Sequence, residues 1–389
     1  MSNPCPNAAL INEAARVART AFGLTGPDPR PFGGGRVHDT FLAESGGRRY
    51  ILQRLNHFFQ GHEAFGRNWM MVEKAVTGRS EQAGLWLPPI FPDLDGRYLT
   101  SLPDGEGFWR LTGYIDGQPA PRTPEGAREA ARLLGKLHRF LNQPAPLDGL
   151  IVLPEGEYTN QRLTGPGDLE ILTARYRRHP HLEELRPLID AAGQAANLLP
   201  HFPAFLSAFS MRDLVTHGDT KADNFLFDPD GRALALLDWD SVGLGNILID
   251  LGEMMRSWGV PGSPRPDGPP AVWENMAAVI EGYAETGLEL TALERELLIP
   301  VLRGIGVNLL RRYLTDALAE VYFRWDHAAY PSLYHQNRAR ATTLLRLLDH
   351  LMESEFSLTR LLSEAYARGL ERRLNEKAAE KNPLPNRPA

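Results

Sequence analysis

At 389 residues with 43% hydrophobic content, the chain has enough apolar surface for a large core and suits two lobes better than one compact domain. A net charge of -6, from 42 basic and 48 acidic residues, gives no nucleic-acid footprint and favours small polar ligands. The single cysteine, Cys5, excludes a disulfide framework and a cysteine-based zinc site.

The opening Met-Ser-Asn-Pro-Cys-Pro lacks a basic stretch followed by an apolar one, so no secretory signal is expected. The longest apolar run, Leu297 to Leu310, is interrupted by Pro300, Arg303 and Asn308, short of a membrane span. The expectation is a soluble, cytoplasmic protein with neither a membrane nor a nucleic-acid partner. The first ~110 residues carry the strand and turn signals. Gly33-Gly34-Gly35 is a breaker cluster, Thr40 to Ala43 a strand, Ser45-Gly46-Gly47 a hairpin turn, and Tyr50 to Leu52 the return strand. Phe65 to Val76 has helix-forming composition. Further sheet elements are expected at Trp86-Leu87 and at Tyr98 to Thr100, ahead of Trp109 to Ile115.

Asp116-Gly117-Gln118-Pro119 is a stop, which sets an N-terminal nucleotide-covering lobe at 1–112 and a connection at 113–117. The C-terminal catalytic and acceptor lobe then spans 118–372, and 373–389 reads as a charged, flexible tail. Thr123-Pro124-Glu125-Gly126 is an N-cap with proline at the first helical position. Ala130, Leu133, Leu134, Leu137, His138 and Leu141 follow at helical spacing. Strand signals return at Leu214 to Thr216, Phe225 to Phe227 and Ala233 to Leu237, with Asp228-Pro229-Asp230-Gly231 as the turn between the last two.

The chemistry concentrates in His217-Gly-Asp219-Thr-Lys221-Ala-Asp-Asn224 and the apolar run ending at Asp238. Transfer of a phosphoryl group needs a carboxylate near the attacking hydroxyl, a cation near the transferring phosphate and oxygen ligands for a metal. Asp219, Lys221, Asn224 and Asp238 supply these in order, with ATP and Mg²⁺ as the implied cofactors. Taken singly, an Asp or Asn at a turn is more often a cap, and Lys221 alone is an ordinary surface lysine. No Gly-x-x-x-x-Gly-Lys-Ser/Thr loop, Gly-x-Ser-x-Gly turn or His-Glu-x-x-His helix competes for the assignment.

This segment resembles the catalytic segment of the aminoglycoside phosphotransferase and choline kinase superfamily. The flanking pieces Tyr50 to Asn56, Leu237 to Val242, Asp250-Leu-Gly252 with Arg256, Arg312 to Asp316 and Val321 to Phe323 look most like the N-acetylhexosamine 1-kinase branch. The resemblance implies an α+β, bilobal protein-kinase-like fold with a small β-rich N-lobe and a larger, mainly helical C-lobe. It also implies that Asp219 is the catalytic base, Asn224 and Asp238 the Mg²⁺ ligands, and Lys221 a γ-phosphate contact. His217 and Asp250 would brace the loop. Asp240 would be a further metal contact or merely share a face with Asp238.

For the nucleotide, the resemblance places Gly34 and Gly35 over the phosphates, although three glycines equally describe a flexible turn. The adenine would bond backbone between Thr112 and Asp116, with Tyr114 packing near it. Where the superfamily has a phosphate-holding Lys or Arg after Tyr-x-Leu, this chain has Gln53 and then Arg54. Adjacent strand residues face opposite sides, so Arg54 serves as the anchor only through a bulge, with Glu73 as its candidate partner.

Asn308, Arg312 and Asp316 share one helical stripe. Arg312 and Tyr322 are the expected contacts to a small sugar acceptor, the alternative being an Arg312–Asp316 ion pair on a solvated face. The activity implied is ATP- and Mg²⁺-dependent phosphorylation of a sugar hydroxyl, most closely the anomeric hydroxyl of an N-acetylhexosamine. Aminoglycoside, choline or homoserine-type phosphotransfer and a non-catalytic nucleotide-binding module are the alternatives. The several arginines from Arg311 to Arg340 argue against a polycationic acceptor.

Overall fold

The first described element is a helix in a stretch to which the sequence reading assigned no element, and Ala14, Ala15, Val17 and Ala18 form a buried stripe at helical spacing along this α1 (Ala8–Thr20). The computed structural model describes residues 8–33, 37–56, 63–77, 85–102, 107–151, 167–198, 212–260 and 271–381. After α1 come β1 (Arg30–Pro31), β2 (Asp39–Ser45), β3 (Arg48–Arg54), α2 (Glu63–Thr77), β4 (Ile90–Phe91) and β5 (Trp109–Gly113). The five strands form one antiparallel sheet in the order β1-β2-β3-β5-β4. Gly46 and Gly47 both sit at positive φ, 58° and 73°, which is the twist a two-residue hairpin between β2 and β3 demands. Of the two further sheet elements expected, Trp86 makes one bridge to Ala235 and Thr100 one bridge to Trp109. Pro88, Pro89 and Pro92 surround β4 and lack the N–H groups a longer ladder needs.

The two faces of this sheet have different partners. Phe41, Leu52, Trp109 and Leu111 pack on α1 residues Ala14, Val17 and Ala18. The alternate residues, Gln53 on β3 and Arg110 on β5, stand opposite each other in register and face α2, where Trp69 lies against the Arg110 guanidinium at 4.8 Å.

The larger part is helical. It runs β6 (Gln118–Pro119), α3 (Pro124–Asn142), α4 (Gly167–Arg175), α5 (Leu182–Asn197), β7 (Leu214–Thr216), β8 (Phe225–Phe227), β9 (Ala233–Leu236) and β10 (Gly243–Gly245). The helices α6 (Ile247–Gly259), α7 (Trp273–Thr286), α8 (Ala292–Glu296), α9 (Leu298–Ala319), α10 (Leu333–Glu353) and α11 (Glu355–Lys381) complete it. Thr123 caps α3 by accepting the Gly126 N–H at 3.2 Å, with Pro124 as first helical residue, as its composition predicts. The small strands pair β6-β8-β9 and β10-β7, and they carry the residues between 217 and 243 toward the sheet. The result is an α+β fold with a small antiparallel sheet and a larger helical part.

Within the charged segment that begins at 373, α11 continues to Lys381. Its basic residues have partners on α7: Arg368 and Arg372 both bind Glu281 at 3.0 Å, and Arg373 donates to the Gly287 carbonyl at 3.1 Å. Residues 382–389 lie outside the described residues. No helix among those described is long and apolar enough to cross a membrane.

Candidate active site

The loop after β7 is held by one buried carboxylate. Asp250, in the first turn of α6, accepts the backbone N–H of His217 and of Gly218, each at 2.7 Å, and faces His138 Nε2 of α3 at 2.9 Å. Thr220 Oγ1 donates to the Asp250 carbonyl at 2.6 Å. Burial alone would raise the Asp250 pKa, but His138 and the backbone donors outweigh it and hold the group below the usual carboxylate range. Gly218 has φ +82°, and a Cβ there would stand 2.7 Å from the Ser241 side chain, so only glycine fits the turn. His217 Nδ1 accepts the Asp219 N–H at 3.2 Å. Its Nε2–H therefore donates to the Leu237 carbonyl at 3.0 Å, tying the loop to the end of β9.

These braces bring the expected residues together. Lys221 Nζ donates to Asp219 Oδ2 and lies 3.9 Å from Asp238 Oδ2. Asn224 donates through Nδ2 to the Asp219 carbonyl at 2.8 Å and to Asp219 Oδ2 at 3.1 Å, which leaves its side-chain oxygen as the atom it offers. Asp238 occupies the left-handed region at φ 63°, a conformation Asp tolerates better than most residues, and this turns its carboxylate back toward Lys221. Burial works against both charges, yet each raises the ionisation of the other. Lys221 is held above its ordinary range by Asp219 and Asp238, and Asp238 below its own by Lys221 and Arg110.

A second cluster backs the first. Asp240 is buried, with one carboxylate oxygen on Arg110 Nη1 and the other 3.1 Å from His38 Nε2. His38 Nδ1 accepts the Asn56 N–H at 3.1 Å, so Nε2 carries the proton. Burial, then Arg110, pulls His38 down to about 3, and it is neutral at physiological pH. His38, Asp238 and Asp240 each present a donor atom within 4.8 Å of the others. The His38 Nε2–H and both Asp240 oxygens already have partners in one another and in Arg110. What fits a hard cation is the oxygen pair of Asp238 and Asn224: Asp238 Oδ1 is buried with no hydrogen-bond partner.

The phosphate anchor is corrected. Arg54 lies on the α1 face of the sheet, 3.6 Å from Glu13 and away from Asp238, because strand side chains alternate and β3 carries no bulge at this point. Glu73 accepts from Thr77 within its own helix instead of meeting Arg54. Gln53 faces the cluster, where its Oε1 accepts from Arg110 Nε at 2.9 Å. Arg110, which the sequence reading did not single out, and His38 meet at Asp240 beside Asp238. An arginine alternating with Trp109 and Leu111 in an apolar strand was the signal for the first. Gly34 and Gly35 lie outside the described residues. Thr112 is buried between Ile51 and Ile90. Tyr114 lies under Arg49 at 4.2 Å, with its N–H on the Arg49 carbonyl at 3.3 Å.

On the acceptor side, the expected stripe divides. Asp316 accepts the backbone N–H groups of Val321, Tyr322 and Phe323 at 2.7–2.9 Å and the Asn337 amide at 3.1 Å, so it shapes the segment after α9 and does not line a ligand site. Arg312 donates to Tyr322 Oη at 3.0 Å. Burial raises the pKa of the Tyr322 hydroxyl, against the opposing charge of Arg312. Arg324 from the same segment pairs with Asp39 at the start of β2.

A model of the phosphotransferase enzyme family matches residues 28–285. Among solved structures, the fold is similar to that of an amicoumacin kinase in complex with AMP-PNP, Ca²⁺ and Ami, at 14% identity and a TM-score of 0.58, covering 89% of this chain and 94% of that one. A microcompartment-associated aminopropanol kinase gives 14% identity and a TM-score of 0.57, covering 89% and 98%. The GDP complex of an aminoglycoside 2'-phosphotransferase-IIIa gives 12% identity and a TM-score of 0.52, covering 89% and 99%.

Proposed function

Because the chain belongs to the phosphotransferase enzyme family, we propose that it is an ATP- and Mg²⁺-dependent kinase that phosphorylates a hydroxyl of a small sugar, the anomeric hydroxyl of an N-acetylhexosamine being the leading acceptor. The observation that carries this reading is the meeting of Asp219, Lys221, Asn224 and Asp238 in one cluster braced by Asp250. Asp238 and Asn224 would hold the cation, which when bound neutralises charge on the phosphates. Asp219 orients the acceptor hydroxyl and takes its proton as the new O–P bond forms and the bond to the departing ADP breaks. Lys221 donates to Asp219, which steadies that carboxylate, and offsets charge on the transferred group.

The acceptor side supports a hydroxyl-rich neutral ligand. Arg312 and Tyr322 bring a guanidinium and a phenol together, and both are hydrogen-bond donors suited to ring hydroxyls and an acetamide. Measurement of ADP release by the purified protein against hexosamines, simple hexoses, aminoglycosides, choline and homoserine tests the assignment. Turnover with N-acetylhexosamines is the expected result. Turnover only with a cationic acceptor would overturn the sugar, and nucleotide binding without any turnover would favour a binding module.

A further inference from the structure

The cluster contains a cation that the proposed chemistry does not yet use. Arg110 is 1% exposed and is held on three sides: Gln53 accepts from its Nε, Asp240 from its Nη1, and the Trp69 ring covers its face. The third nitrogen, Nη2, is buried and makes no hydrogen bond. It forms a 3.6 Å ion pair with Asp238 Oδ1, an atom that is also buried and makes no hydrogen bond. The two opposite charges attract across that gap, but each keeps hydrogen-bonding capacity that a ligand could complete. Asp238 suits a cation, and Nη2 suits an anionic oxygen that comes in beside that cation. A metal-bound di- or triphosphate has both.

We propose that Arg110, reaching across from β5, is the phosphate-binding cation of the sheet, in the place that Gln53 leaves without charge and Arg54 cannot reach. Gln53 is its positioning residue, fixing the guanidinium through Nε so that Nη2 points at Asp238. In its turn Gln53 is fixed through Nε2, which donates to Thr40 Oγ1 at 3.2 Å. The planar fork matters here. An ammonium has three donors but no planar fork, so it would keep the charge while losing the fixed directions toward Gln53, Asp240 and a third partner.

The inference rests on the kinase reading, and calorimetric titration of the full chain with ADP and with adenosine, each in Mg²⁺, separates the two. Wild type should bind ADP more tightly than adenosine. Arg110→Gln should weaken ADP by about tenfold to a hundredfold, the range of one charge-assisted hydrogen bond, while adenosine stays within about twofold. Arg110→Lys should recover part of the loss. If wild type binds neither ligand, the kinase reading falls and takes this assignment with it. If Arg110→Gln keeps the wild-type ratio of ADP to adenosine affinity, the assignment alone falls. Should circular dichroism show that Arg110→Gln does not fold, Gln53→Leu decides: a selective loss of ADP affinity supports the role, and an unchanged ratio overturns it.

Discussion

Replacing Asp250 by Asn tests whether one carboxylate holds the catalytic loop. Asp250 Oδ2 serves both the His217 N–H and His138, and Oδ1 serves the Gly218 N–H. The least damaging asparagine rotamer keeps the oxygen on the first two and sets its amide against the Gly218 N–H, donor to donor. One buried N–H is then orphaned, at about 1–3 kcal/mol, and two charge-assisted bonds become neutral ones, at ~1 kcal/mol each. The total is ~3–5 kcal/mol. At about 2.1 cal/mol/K per residue the 389 residues have an unfolding entropy of roughly 0.8 kcal/mol/K, so the melting midpoint should fall by about 4–6 °C in a calorimetric scan at pH 7. The folded pKa of Asp250 lies below its unfolded value, so this contribution is present above about pH 4 and is lost as pH falls through the folded pKa. The gap between the two proteins should therefore close in acid. A shift under about 1 °C at pH 7, or a gap that widens on acidification, would refute the reasoning.

Asp219→Asn should leave the melting midpoint and ADP affinity close to wild type while kcat falls by ~10² or more, the usual share of general-base assistance, measured by ADP release with a responsive acceptor. Arg54→Ala should leave the ADP dissociation constant within about twofold, since Arg54 contacts Glu13 on the far face; a tenfold loss in titration would restore it as an anchor. Gly218→Ala should destabilise by about 2 kcal/mol or more in urea unfolding, because it combines a positive φ with a Cβ 2.8 Å from the Ser241 carbonyl. A double-mutant cycle on Asp39 and Arg324 should return a favourable coupling on the order of 1 kcal/mol in the same assay.

What could be read in advance was whatever is local along the chain. The Thr123-Pro124 start of α3, the glycine pair between β2 and β3, and the order Asp219, Lys221, Asn224, Asp238 each follow from neighbours a few residues apart. Arg110 was hidden because its meaning lies across strands: it becomes a site residue only when β5 is set in register with β3, opposite Gln53. Asp316 misled in the opposite direction. Helical spacing puts it on the stripe with Arg312, but its carboxylate is consumed by three N–H groups of the segment that turns back after Glu320. The helical continuation past 373 was not anticipated, since a charge-rich end that runs into prolines looks like a solvated tail from its composition alone.

His38 and Asp39, at the start of β2, fasten the sheet to the helical part through Asp240 and Arg324. Parting the two there would break both contacts and expose a neutral imidazole to water. The Asn56 N–H donates to the same ring, so its exchange with deuterated water should report how firmly that ring is held.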